Sequence, residues 1–359
     1  MCVFKPLLPV GEQPSVARCV QTAQSADIRD IVVVTGHLRE ELEVVLRAKL
    51  PVVRIVHNSR FPDGMFSSVH SGVSALPDGF DGFFILPADC CAVSPDTLRT
   101  LIDEFAKAGA AAVVCPKFEG RRGHPPLIPA RFIGSLLSYN GENGLKGFLS
   151  SLPTVEIETN GPETLLDMDT PEDYAALLIH LGLPTYPDPV QCAELLVKYN
   201  TPPDIIEHGR HVAALALKMA RLITRFTNSR QRDARFDMSL MESACLLHDI
   251  RQMEPNHARE GMELLLREGY PKTAILVGRH MDLPSPSADI GEPELLYLAD
   301  KLCRYGKYMK IEDTIHELGS RFSQNPEALA GGKRRMRTAQ VILDTLGARY
   351  GIGYEDLFL

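Results

Sequence analysis

Six side chains in the second half of the chain are of types that hold metal ions: His208, His248, Asp249, His257, His280 and Asp300. In "PPDIIEHGRHVAALALKMARLITRF" the residues Ile205, His208, Val212, Leu215 and Met219 follow helical spacing, which puts His208 on an apolar stripe. The run Ala244–Leu247 stops abruptly at His248–Asp249, and burying an imidazole and a carboxylate is costly unless both are satisfied. "NHAREG", "GRHMDL" and "YLADKL" then supply His257, His280 and Asp300 in order. One histidine on an apolar face is more often a core histidine; the ordered set is what points to ligation. Four imidazoles and two carboxylates suit a pair of divalent transition metals, with an Asp able to bridge them. His211 drifts toward the polar side of its helix and, like His316, reads as a surface residue. Lys301, Arg251 and Arg279 flank the candidate ligands, either to receive phosphate oxygens or as structural charges.

The segments that carry these residues show apolar positions at three- and four-residue steps from about residue 190 onward, with no strand signal, so the second half reads as all-α. The first half has a different rhythm. "DIVVVTG" (30–36), "PVVRIV" (51–56), "GFFILPAD" (82–89) and "AAAVVCP" (110–116) are short, apolar and bounded by Gly, Pro or Asp, with amphipathic pieces at 37–49 and 95–108 between them. Such alternation predicts an α/β domain with a mostly parallel sheet, whose ligands bind at the carboxyl ends of the strands, where "TGH" and "PAD" lie. The three prolines of "LGLPTYPDPV" suggest a linker. The expected division is 1–182, a linker over 183–192, and 193–359.

Bulk composition narrows the class. The chain has 359 residues, 45% of them hydrophobic, enough for two cores. A net charge of −8 argues against a nucleic-acid binder or a basic membrane-surface protein. Eight cysteines without C-x-x-C spacing read as reduced thiols, and no apolar run approaches the ~18 residues a membrane span needs. Lacking a signal-peptide layout as well, the protein is expected in the cytoplasm.

The ordered set in the helical half resembles the HD-domain metal-dependent phosphohydrolases, whose pattern is H…HD…D, over roughly residues 190–320. His257 and His280 resemble the branch with a dinuclear centre. By that resemblance His208, His248, Asp249 and Asp300 would hold one metal and Asp249, His257 and His280 a second, with Asp249 bridging and central to catalysis. The ions would be Mn, Fe or similar, lowering the pKa of bound water to near ~7 and stabilising charge on a phosphoryl oxygen.

In the first half, "FKPLLPVGEQPSVARCV", "VVVTGH", "HNSRFPDGMFSSVHSGVSAL", "FFILPADCCAVSPDTLRTLI", "CPKFEGRRGHPPLIPARF" and "LLDMDTPEDYAAL" follow the order of segments in the MobA-like nucleotidyltransferases, especially the molybdenum cofactor cytidylyltransferase branch. The resemblance covers about residues 1–182 and implies a nucleotide-diphospho-sugar-transferase-like fold. It assigns Asp89, with Asp167 or Asp169, to Mg²⁺, and Lys5 to phosphate charge and catalysis. Gly64, Ser67 and Ser68 would form a loop that approaches the nucleotide closely. Gly120, Arg121, Gly123 and His124 would shape the acceptor pocket. Asp169–Thr170–Pro171–Glu172 also reads as a helix start. The implied substrates are a nucleoside triphosphate, CTP favoured over GTP, and a phosphorylated acceptor such as molybdopterin.

The family opens with a strand and an L-A-[AG]-G-x-S-x-R-M-G loop; here Met1 aligns with the Met of that loop and Cys2 replaces its Gly. The domain is therefore expected to lack its first strand and glycine loop, and to show weak or absent transfer as written. Either the natural start lies upstream, which this reading favours, or the domain binds nucleotide or pterin without transfer. The full expectation is a bifunctional transferase-like and phosphohydrolase protein. Its rivals are a phosphohydrolase with a degenerate binding domain, and a non-enzymatic nucleotide sensor with a structural metal site.

Overall fold

The apolar runs of the first half become strands in the computed structural model, which describes residues 3–226, 236–283, 289–304 and 306–358. Met1 and Cys2, on which the comparison with the glycine loop rests, lie outside the described residues. The chain divides into two units, Met1–Leu183 and Pro184–Leu359.

The first unit contains β1 (Pro9–Val10), β2 (Gln13–Pro14), β3 (Val32–Thr35), β4 (Arg54–His57), β5 (Gly82–Phe84), β6 (Val113–Phe118), β7 (Arg121–Arg122), β8 (Leu127–Pro129) and β9 (Thr154–Glu158). Its helices are α1 (Ser15–Ser25), α2 (Arg39–Lys49), α3 (Met65–Val73), α4 (Pro95–Lys107), α5 (Ile133–Leu137), α6 (Gly144–Ser150) and α7 (Pro171–His180). β3 and β4 pair in parallel, from Val32 opposite Arg54 to Thr35 opposite His57. The larger sheet is mixed, which corrects the expectation of a mostly parallel one. β8 runs antiparallel to both β5 and β6, β7 runs antiparallel to β6, and only β9 joins β6 in parallel. The cause is local. Glu119 and Gly120 both have positive φ (48° and 78°), closing a two-residue hairpin that turns the chain back on itself after β6. β8 has three residues and β9 carries glutamates on alternate positions, so neither gave a clear apolar run.

Several hydrophobic clusters fix this unit, two of them joining its helices. Val16, Ala17 and Val20 of α1 bury against Leu42 and Leu46 of α2, with Val33 and Ile55 packed on them. Val73, Phe83, Val113, Ile128, Leu136 and Phe148 fill the other. α7 starts as its sequence predicts: Thr170 accepts from the Asp173 N–H, Asp173 returns the bond, and Pro171 opens the helix.

The second unit contains α8 (Pro189–Lys198), α9 (Pro203–Phe226), α10 (Met238–Leu247), α11 (His257–Arg267), α12 (Pro271–Arg279), α13 (Glu292–Leu302), α14 (Ile311–Arg321), α15 (Pro326–Tyr350) and α16 (Tyr354–Phe358). A small antiparallel hairpin, β10 (Cys303–Arg304) with β11 (Lys307–Tyr308), departs from the strand-free expectation. α8 also begins inside the segment read as a linker. There Asp188 accepts from the Val190 and Gln191 N–H groups and Gln191 bonds back, so Asp-Pro opens a helix rather than extending a loop. Val212, Leu215 and Met219 of α9, Met241 and Cys245 of α10, and Leu295 and Leu298 of α13 form the buried centre. α9 approaches α10 closely at Gly209, where a Cβ would stand 3.0 Å from the Leu246 carbonyl oxygen. That approach sets the next residue back along α9, His208, beside the end of α10.

In the first unit a tight backbone contact falls at a candidate site residue. A Cβ on Gly123 would stand 2.4 Å from the Thr164 carbonyl oxygen, which also accepts the His124 N–H at 2.7 Å. Gly123→Ala must therefore displace backbone. The expected result is a loss of about 1–3 kcal/mol of stability, read by chemical denaturation.

Candidate metal centre and nucleotide site

Two helices end on a histidine. α10 closes at Leu247 and α12 at Arg279, so His248 and His280 each follow a last helical residue. The final carbonyls of a helix have no partner within it. His248 Nδ1–H donates to the Cys245 carbonyl and His280 Nδ1–H to the Val277 carbonyl, both at 2.7 Å. A carbonyl only accepts, so Nδ1 carries a proton, and Nε2 offers a lone pair whenever the ring is neutral. Both Nε2 atoms are buried and have no hydrogen-bond partner.

Those atoms point at carboxylates. His208 Nε2 lies 3.1 Å and His248 Nε2 3.5 Å from Asp300 Oδ1. His257 Nε2 and His280 Nε2 lie 3.4 and 3.5 Å from Asp249 Oδ1, while Asp249 Oδ2 lies 3.6 Å from His248 Nε2. The structure thus brings all six expected residues together, in two clusters: His208, His248 and Asp300, and Asp249, His257 and His280. A lone pair facing a carboxylate oxygen is repulsive unless a proton or a cation sits between them. Two donors ~2.1 Å from a tetrahedral ion are ~3.4 Å apart, which is the spacing found here. The donor set fits divalent ions.

The electrostatics follow from burial and charge. Burial opposes ionisation of Asp300, yet Lys301, His208 and His248 hold its carboxyl well below the usual range. Burial opposes ionisation of Asp249 too, but His248 and His280 keep it low. His248 would lose its proton on burial, but Asp249 and Asp300 raise it to about 9. For His257 and His280 burial wins and the pKa falls. Lys301, one of three cations considered for phosphate, is buried, bonded to Asp300 Oδ2 and packed 4.9 Å over the Tyr297 ring. Arg251 pairs with Glu254 at 2.9 Å, and Arg279 is engaged as well. His211 donates through Nδ1 to the Glu207 carbonyl, and His316 is exposed. Sequence reasoning passed over Gln252, whose Nε2–H donates to Asp249 Oδ2 at 3.0 Å; its only signal was its place three residues beyond the aspartate.

In the first unit Lys5 sits on a short 3-10 turn (Lys5–Leu7), its carbonyl accepting from Ser15 Oγ at 2.8 Å. Its ammonium lies between Asp89 Oδ2, at 3.0 Å, and Asp169 Oδ1. Burial opposes that charge, but the bonds to Asp169 and Asp89 keep the lysine pKa raised. Asp167 is turned into its own loop, where Oδ1 accepts the Asp169 N–H at 3.2 Å, and burial pushes its pKa up. Gly64 has a φ of 99° ahead of α3, a backbone state side chains rarely adopt. Ser67 and Ser68 both accept from Nδ2 of buried Asn58, at 2.8 and 3.0 Å, and Asn58 is a second residue that nothing in the sequence singled out. His124 has its Nδ1 buried without a partner; burial lowers its pKa against the pull of Asp89 and Asp167. Gly120 closes the hairpin described above, and Arg121 is exposed on β7.

Residues 1–156 match the MobA-like NTP transferase domain, and residues 205–316 match the HD domain. The chain joins a MobA-like NTP transferase domain to an HD domain. Among curated relatives it is similar to the bifunctional protein GlmU of Leifsonia xyli subsp. xyli, 32% identical over 32% of this chain and 24% of that protein. The chain thus spans about a quarter of that relative's length. It is also similar to the molybdenum cofactor cytidylyltransferase of Escherichia coli, 26% identical over 40% of this chain and 71% of that protein. Among solved structures, Rv0371c of Mycobacterium tuberculosis overlays with a TM-score of 0.43 and 21% identity, covering 50% of this chain and 91% of that one. No helix among the described residues is long and apolar enough to cross a membrane, and the seven described cysteines are free and buried.

The HD-domain cluster has a testable proton linkage. Below about 9 the metal-free His248 holds a proton that a cation at Nε2 must expel. Affinity for Mn²⁺ should therefore rise about tenfold per pH unit between roughly pH 6 and 8, measured by calorimetric titration at three pH values. A flat profile would count against ligation through His248.

Proposed function

We propose that the chain is a bifunctional enzyme: its HD domain a phosphohydrolase with two divalent ions, its MobA-like domain a nucleotidyltransferase. The observation that carries the hydrolase reading is the convergence of four imidazole Nε2 atoms on Asp249 and Asp300 within a buried site. His208, His248, Asp300 and Asp249 would hold one ion, and Asp249, His257 and His280 the other. Divalent ions so held, Mn or Fe among them, supply Lewis acidity to a phosphoryl oxygen and acidify bound water. The chain's own part is to present the imidazoles in one tautomer and keep both carboxylates ionised. Asp249→Ala, which removes a donor from both clusters, should reduce metal-dependent hydrolysis of bis-p-nitrophenyl phosphate to background. Equal turnover in the variant would reject the site.

For the transferase reading, Asp89 and Asp169 would hold Mg²⁺ and Lys5 would meet the triphosphate of the nucleotide, with Gly64, Ser67 and Ser68 at the loop beside it and Gly123 and His124 toward the acceptor. CTP as donor and a phosphorylated pterin as acceptor are supported by the segment order and by the name of the Escherichia coli relative. The placement of Lys5 gives this reading a sign of its own. Its ammonium lies between two carboxylates, where a magnesium ion would share their oxygens. Lys5→Met should bind Mn²⁺ more tightly than the parent when no nucleotide is present, yet bind CTP more weakly. Titrations of each ligand alone separate the two effects, and weaker Mn²⁺ binding in the variant would contradict a shared position.

A further inference from the structure

The two buried carboxylates of the HD domain are not equivalent. Asp300 turns only Oδ1 toward imidazoles, at 3.1 Å from His208 and 3.5 Å from His248, while Oδ2 is taken by the Lys301 ammonium. Asp249 divides its oxygens. Oδ1 faces His257 and His280, at 3.4 and 3.5 Å, and Oδ2 faces His248 at 3.6 Å. A carboxylate can serve both clusters only while its plane is held in that one rotation about Cβ–Cγ. The imidazoles alone do not select it, because they meet both oxygens. Among the described residues, the amide of Gln252 is the non-imidazole donor to this carboxylate, its Nε2 lying 3.0 Å from Oδ2.

We propose that Gln252 is a positioning residue that fixes the Asp249 carboxylate in the orientation needed to bridge two divalent ions. This rests on the dinuclear reading of the site given above. Gln252 is itself exposed, at the turn that follows α10, and has no part in the core. Its amide reaches the carboxylate from the solvent side and leaves each oxygen a lone pair for an ion. The role differs from that of Lys301, which occupies the far oxygen of Asp300 and keeps that residue to a single cluster.

The test uses the full-length protein stripped of metal by a chelator and titrated with Mn²⁺. The parent should take two ions per chain and show an exchange-coupled Mn(II) pair in its electron paramagnetic resonance spectrum. Gln252→Met, of similar length but unable to donate, should lose about tenfold to a hundredfold in Mn²⁺ affinity, the usual cost of removing such a supporting bond. Its spectrum should shift toward the six-line signal of isolated ions. An unchanged thermal melt would show that the fold is intact. Two ions bound with parental affinity and parental coupling would overturn the role of Gln252. A parent that binds fewer than two ions, or two without coupling, would instead refute the dinuclear reading.

Discussion

The bare Nε2 atoms of buried His248 and His280 cannot rest against Asp249 and Asp300 without a proton or a cation between them. That constraint organises the second unit. Each imidazole is delivered by a different element: His208 from within α9, His248 and His280 from the ends of α10 and α12, and His257 from the first residue of α11. The helices can converge so closely because small residues stand at the contacts. A Cβ on Gly209 would press on the Leu246 carbonyl at 3.0 Å, and one on Gly261 would meet Val277 at 3.0 Å. Close packing thus precedes the chemistry, since only a dense core holds polar atoms at ligand spacing and keeps water from answering them.

The helix termini explain why the tautomer is set without extra side chains. A helix end offers carbonyls that need donors, and a histidine placed just past that end offers an N–H. His248 and His280 use the same solution, three residues back along their own helices. Each ring meets one backbone need and is left with one atom unsatisfied. The remaining need is directed inward. This is the usual logic of a metal-binding histidine, whose second nitrogen is fixed by a hydrogen bond.

What the sequence disclosed follows the same physics. The six candidate ligands were legible because His and Asp recurring on apolar helix faces are costly to bury without partners. The helices were legible from their period, and Thr170–Pro171 from its capping chemistry. Gln252 was not, because a glutamine near the surface is ordinary until the carboxylate it touches is known. The mixed sheet was hidden for a different reason. A two-residue hairpin at Glu119–Gly120 reverses the chain, and Glu-Gly is weaker as a hairpin signal than Asn-Gly or Asp-Gly. The three-residue β8 that follows is too short for any periodicity to show. The hairpin β10–β11 was missed likewise, with two residues in each strand. The units divide at Leu183–Pro184, inside the segment read as a linker, but Asp188 and Pro189 open a helix before that segment ends.

The two units meet their need for positive charge in contrasting ways. In the first, the chain supplies a cation of its own. Lys5 lies between Asp89 and Asp169, so these carboxylates have a counter-charge without any ligand. In the second, Lys301 answers only the far oxygen of Asp300, and Asp249 has no lysine or arginine within ion-pair distance among the described contacts. Asp249 must draw its compensation from imidazoles, which are neutral at ordinary pH unless something raises them, as it raises His248. Neither site is answered by lysine alone: one ammonium serves two carboxylates in the first, and in the second Asp249 depends on imidazoles. Asp249 is the one residue whose two oxygens face both clusters, so the proposed pair of ions would depend on its geometry more than on the number of ligands.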